Sequence, residues 1–189
     1  MKKLLSVLVL SSICSLSIAE YDLAVRNVTV IDAASDRRTN QTVYISGDKI
    51  ARVDSSESTM AANQEVDGRG KFLIPGLWDM HVHIVYDDAL TERMPELFLN
   101  YGITSVRDTG ALLDKIMPEV KRWQTLGDQA PDLFFSGPLL DGNLVVYNGD
   151  GRPEIGVSNP SVESARASVK SLVEAGAHFI KIYELVSPE

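Results

Sequence analysis

Cysteine is nearly missing from this chain. Cys14 is the only one in 189 residues, and it lies in a leader-like segment. Lys2 and Lys3 precede an uncharged run from Leu4 to Ile18, and Ser17-Ile18-Ala19 is a small-x-small cleavage site. This is the layout of a secretory signal peptide, residues 1–19, because the run falls short of the roughly 20 residues needed to span a bilayer. A bulky Ile13 stands before Cys14, where a lipid-attachment signal wants a small residue. With cleavage after Ala19 no cysteine is left, which excludes disulfides and thiolate metal sites, so any metal must use nitrogen and oxygen ligands. The expected address is periplasmic or secreted, with no stable membrane span once the signal is gone.

Basic charge is also scarce. Without Lys2 and Lys3 the chain carries 16 basic against 26 acidic side chains, a formal charge of −10. An acidic chain lacking a basic cluster excludes nucleic acid as a natural partner. Histidine is rarer still, with three in the whole chain, so two of them spaced by two are conspicuous. Overall, 44% hydrophobic and 23% charged residues fit a globular protein.

Two rhythms divide the remainder. Residues 20–74 hold short β-branched runs and turns, such as residues 23–31. Thr42-Val43-Tyr44-Ile45 and Ile50-Ala51-Arg52-Val53 flank Ser46-Gly47-Asp48-Lys49, a hairpin signal because glycine tolerates positive φ. Residues 55–64 are polar and predict a loop, and Asp67-Gly68-Arg69-Gly70 turns the chain into a last run, 71–74. The expectation is a small antiparallel β-sandwich domain.

From residue 75 to 189 strands alternate with helices. Residues 77–83, 103–107, 133–136 and 179–183 predict strands. Leu90, Met94, Leu97, Phe98 and Tyr101 recur at helical spacing, with Pro95 starting or kinking the helix. Leu112, Leu113, Ile116, Val120 and Trp123 form a second helix, interrupted at Pro118 and ending before Gly127. Asn159 predicts a cap and Pro160 a first turn for a third, whose stripe runs through Val162, Ala165, Val169, Leu172 and Val173 to Gly176. Such alternation implies a parallel sheet with ligands at the carboxyl ends of its strands. Ser187-Pro188-Glu189 reads as the cap and first turn of a fourth helix. About 250 residues make a (β/α)₈ barrel, so this stretch has room for half of one.

In Pro75-Gly76-Leu77-Trp78-Asp79-Met80-His81-Val82-His83 an apolar run ends in His-x-His. Alternate strand residues share a face, so His81 and His83 point together while Val82 points away. Two imidazoles at a strand's carboxyl end make a half-site for a divalent metal. Asp79 shares their parity and either orients a histidine or caps the backbone. Parity also groups Phe179, Lys181 and Tyr183 on one face and Ile180 and Ile182 on the other. His178 falls on the other parity, nearer the strand's amino end, and is expected to be structural. The glycine-rich segment 137–157 is expected to be a surface loop, with Tyr147, Asp150 and Arg152 as candidate substrate contacts.

Val66-Asp67-Gly68-Arg69-Gly70 with residues 75–83, Tyr101-Gly102-Ile103-Thr104-Ser105-Val106-Arg107-Asp108, and Ala175-Gly176-Ala177-His178-Phe179-Ile180-Lys181-Ile182-Tyr183 together resemble the amidohydrolase superfamily. The nearest branch is the imidazolonepropionase-like and Xaa-Pro dipeptidase-like hydrolases. The resemblance implies an α/β protein: a β-sandwich followed by the N-terminal half of a TIM-type (β/α)₈ metal-dependent barrel. It implies one or two divalent ions, usually zinc, held by His81 and His83, with Lys181 carboxylated as a bridge. It further implies hydrolysis of an amide, lactam or dipeptide by a metal-bound hydroxide, the partner being a small-molecule substrate and self-association left open. The family's two further histidines and its acid–base aspartate have no counterpart in these 189 residues, so the expectation is a fragment of a hydrolase. The alternative is a catalytically inactive truncated or split barrel with a binding or assembly role.

Overall fold

The computed structural model describes residues 20–187; residues 1–19, expected to be a signal peptide, and the final Pro188-Glu189 lie outside the described residues. The chain divides into two compact units, one ending at Pro75 and the other beginning at Gly76.

The first unit is built on β1 (Tyr21–Asp32), a long strand paired antiparallel with β2 (Ser35–Ser46). A tight turn through Gly47, whose φ is +58°, then leads into β3 (Lys49–Ser55), with Ser46 opposite Lys49. The predicted hairpin is therefore present. The predicted antiparallel sandwich is not: β4 (Ala62–Asp67) and β5 (Phe72–Leu73) run parallel to β1, completing a single five-stranded mixed sheet in the order β3-β2-β1-β4. The reason lies in the polar stretch after β3. An antiparallel return needs only two to five residues, and this longer connection carries the chain across to the opposite edge of the sheet. Arg26 holds it there, donating to the Ser58 and Met60 carbonyls at 3.0 and 2.9 Å and to the Tyr44 hydroxyl at 3.2 Å. Val28, Val30 and Val43 form the buried apolar patch, joined by Val25, Ile45, Val53 and Leu73.

The second unit carries three parallel strands, β6 (Leu77–Val82), β7 (Ile103–Asp108) and β8 (Asp132–Phe135), in that order. Helices α1 (Asp88–Thr91) and α2 (Met94–Asn100) link the first pair, and α3 (Leu113–Leu126) links the second. Helical crossovers of this kind are what parallel neighbours require. Pro95 sits in the first turn of α2, where its missing N–H costs nothing. Pro118 lies inside α3 without ending it. Ile116, Val120 and Trp123 bury one face of α3 against Val106 and Phe135, and this packing outweighs one lost backbone bond. Gly127, at φ +54°, then terminates it.

Four expectations fail, wholly or in part, in this unit. Residues 137–157 are not a plain surface loop: β9 (Leu139–Asp141) and β10 (Gly156–Ser158) pair in parallel, and residues 136–142 are buried. The cap of α4 (Val162–Glu174) is Ser161, in a reciprocal box with Ser164, rather than Asn159. Asn159 is buried instead, with its amide donating to the carbonyls of Asp141 and Val157 and accepting from Ser168. Of the predicted stripe on this helix Leu172 is buried, whereas Val173 is 62% exposed. Residues 179–183 form no strand ladder. They make one bridge, Leu140 to Ile182, with Leu140 N–H donating to Lys181 and Tyr183 N–H donating to Leu140. The chain turns at Gly137 between β8 and β9, so neither strand runs alongside this stretch long enough to build a ladder. Among the described residues no helix is long and apolar enough to cross a membrane.

Candidate metal centre

Strand alternation aims the two histidines. Val82 packs into the core of the second unit, so Asp79, His81 and His83 face the other way at the carboxyl end of β6. The imidazole rings lie 5.4 Å apart between centroids. His83 Nδ1 stands 2.9 Å from the Gly110 carbonyl oxygen. A carbonyl only accepts, so Nδ1 carries a proton, and in the neutral ring Nε2 keeps its lone pair. This anchored tautomer is the form in which a histidine ligates a metal.

A residue that the spacing argument passed over organises this corner. Asp108, the last residue of β7, is fully buried. Its carboxylate accepts from Ile84 N–H at 2.7 Å and from Gly110 N–H at 3.1 Å. One carboxylate thus ties the chain just after His83 to the residue whose carbonyl orients His83. Burial raises the carboxyl's pKa, against the opposing effect of those two amides and of His83 and His81. The signal in the sequence was an acid closing an apolar strand and followed by Thr109-Gly110, where a turn follows naturally.

Lys181 bears on His81 through its charge. The His81 pKa is lowered, first by burial and then by the positive charges of His83 and Lys181, with Asp79 and Asp108 pulling the other way. The shift favours the neutral imidazole, the form that can ligate a metal. Asp79 takes the capping role, accepting from the His81 backbone N–H at 3.2 Å. Among the described residues no three His, Cys, Asp or Glu side chains converge. What this corner offers is two imidazoles, half of a nitrogen donor set for a divalent ion, with the lysine felt there as a charge.

The remaining candidates separate. Tyr147 reaches the histidine corner through Tyr86, its hydroxyl donating to the Tyr86 hydroxyl at 2.9 Å, and Tyr86 in turn lies 6.1 Å from the His83 ring. Arg152 lies over the Tyr147 ring at 5.0 Å. Asp150 is 96% exposed and 3.8 Å from Arg152. His178 stands apart, packed edge-on against Phe134 and Phe135, with Nδ1 accepting from the Phe135 N–H at 3.3 Å. Asp141, also missed, is fully buried and accepts from Gly142, Val146 and Leu185 N–H groups at 2.9, 2.8 and 2.7 Å.

An α/β unit that gathers two imidazoles and a buried carboxylate at the carboxyl ends of neighbouring parallel strands has the layout in which such sheets place their ligands. No family model matches the chain. Curated relatives do. An N-acetylglucosamine-6-phosphate deacetylase of Lysinibacillus sphaericus is 39% identical over 102 residues, 53% of this chain and 26% of the relative. An adenine deaminase of Serratia proteamaculans is 35% identical over 86 residues, 46% of this chain and 14% of the relative. A solved prolidase complexed with N-methylphosphonate-L-proline superposes with a TM-score of 0.67 at 24% identity, over 85% of this chain and 46% of that one. These likenesses indicate the amidohydrolase superfamily, and the relatives matched are named for carbon–nitrogen bond hydrolysis. It spans about a quarter or less of these curated relatives and under half of the prolidase.

Proposed function

We propose that this is the N-terminal part of an exported, metal-dependent hydrolase of carbon–nitrogen bonds, acting on an amide, lactam or dipeptide. On this reading the second unit is the opening half of a (β/α)₈ barrel; its strand–helix alternation and its match to under half of the prolidase structure support that. Export to the periplasm or beyond follows from the signal-like residues 1–19. His81, His83 and Lys181, the lysine carboxylated by CO₂, would hold one or two divalent ions, zinc by donor chemistry. A bound ion supplies Lewis acidity toward water and a carbonyl oxygen. The chain's own residues do the rest. Gly110 fixes the His83 tautomer, Asp108 fixes Gly110, and Tyr147 and Arg152 line the approach for substrate.

The observation that carries this reading is the 2.9 Å anchor from His83 Nδ1 to the Gly110 carbonyl, on a ring whose centroid lies 5.4 Å from that of His81. Zinc titration of the 189-residue chain, read by equilibrium dialysis and elemental analysis, tests it. We expect about one ion per chain, with His81→Ala and His83→Ala each weakening uptake at least about tenfold. No stoichiometric uptake, or uptake indifferent to both variants, overturns the assignment.

A further inference from the structure

We propose that Tyr86, Tyr147 and Arg152 form a specificity wall selecting amides that carry a carboxylate beyond an apolar or aromatic spacer. The inference rests on the reading of His81 and His83 as the reacting centre. From His83 a line of aromatic rings runs outward. Tyr86 lies 6.1 Å from the His83 ring, and Tyr147 lies 6.4 Å from Tyr86 and 6.4 Å from Tyr183. The hydrogen bond between the two hydroxyls locks Tyr86 and Tyr147 together. Neighbouring rings meet at 46°, 75° and 78°, so they present edges and faces to one another rather than a closed stack. A planar ligand body has apolar surface to lie against.

The line ends in a cation. The Arg152 guanidinium sits 5.0 Å over the Tyr147 ring, and its Nε donates to the Gly149 carbonyl at a long 3.4 Å. Its nearest carboxylate, Asp150, is 3.8 Å away and almost wholly in solvent, too far for a hydrogen bond and too exposed to neutralise it strongly. A guanidinium held over a ring has less freedom to lose when its donor fork meets a bidentate carboxylate. Two ring-to-ring steps and one ring-to-cation step separate it from His83. A molecule bridging both must therefore set its anion apart from its scissile amide, and the tyrosines favour an apolar spacer between them.

Two rod-like probes test this on the 189-residue chain: 4-acetamidophenylacetate and its neutral primary amide. Binding is followed by the NMR shifts of the Arg152 Nε–H and of the tyrosine rings, with and without zinc. The acid is expected to bind at least about tenfold tighter than the amide. Arg152→Gln should abolish that preference while leaving the amide's affinity in place. Equal binding of the two probes, binding of neither, or a preference that survives Arg152→Gln overturns the wall. A zinc site at His81 and His83 with no carboxylate preference overturns the wall alone. A carboxylate preference in a chain that takes up no zinc overturns the hydrolase reading alone.

Discussion

Asp141 offers the sharpest test of how the second unit is held together. Its buried carboxylate takes three backbone N–H groups: Oδ1 accepts from Gly142 and Leu185, and Oδ2 accepts from Val146. Leu185 lies four residues beyond Lys181, so this one side chain fastens the lysine-bearing segment to the end of β9. Asp141→Asn keeps the shape but leaves one acceptor oxygen. In either flip the amide NH₂ is driven against at least one N–H that has no other partner. A charge-assisted bond is worth about 1.5–3 kcal/mol, and an orphaned buried donor adds its desolvation, so we expect a loss of about 2–4 kcal/mol. Against the usual total of about 5–15 kcal/mol that is a large fraction. Urea unfolding followed by the fluorescence of buried Trp123 measures it. The pH dependence supplies a second check. Burial pushes this carboxyl up, but the three amides outweigh it and hold its pKa below the ordinary carboxylate value. Such a group contributes stability above its unfolded pKa, near 3.9, and loses it as pH falls through the lower folded value. The gap between the native chain and Asp141→Asn should therefore be constant from about pH 5 to 8 and shrink below about pH 4. A gap under about 0.5 kcal/mol at neutral pH, or one that persists unchanged into acid, refutes the clamp.

The two units should answer separately to core and staple mutations. Ile116→Ala, which empties a fully buried position of α3 against Val106 and Phe135, should cost about 2–5 kcal/mol in urea unfolding followed by Trp123 fluorescence. Arg26→Met in the first unit removes the donors that hold the connection from β3 to β4. Hydrogen exchange should then rise across residues 56–61 and β4 while α3 keeps its protection.

What could be read from the sequence was whatever depends on near neighbours in the chain. Gly47 permits the positive φ of its turn, and the β-branched runs on either side have no competing pattern, so β2 and β3 were placed correctly. Leu112 to Trp123 carries its helix because the buried positions recur at 3.6-residue spacing despite Pro118. Choices between distant partners were not readable. Nothing local to residues 62–67 says whether they join β1 in parallel or form a hairpin with β3. That is settled by Arg26, which reaches more than 30 residues along the chain to the Ser58 and Met60 carbonyls. Asn159 and Ser161 are both good caps by composition. Asn159 lost the role because its amide is needed at the carbonyls of Asp141 and Val157.

The site divides along the same line, and this bears on how it could evolve. His81 and His83 come from one strand, so a two-residue period was enough to bring them together. Asp108 lies 25 positions beyond His83 and holds the backbone N–H groups of Ile84 and Gly110. Asp141 acts through backbone in the same way on the segment that carries Lys181. Two buried acids thus fix the backbone beside the proposed ligands without being among them, and neither has a spacing rule that a sequence could advertise. A ligand pair could be exchanged for another while this scaffold stayed intact. Substitution of Asp108 or Asp141 would instead move the geometry while leaving every ligand in place, and a motif built on histidine spacing would still match.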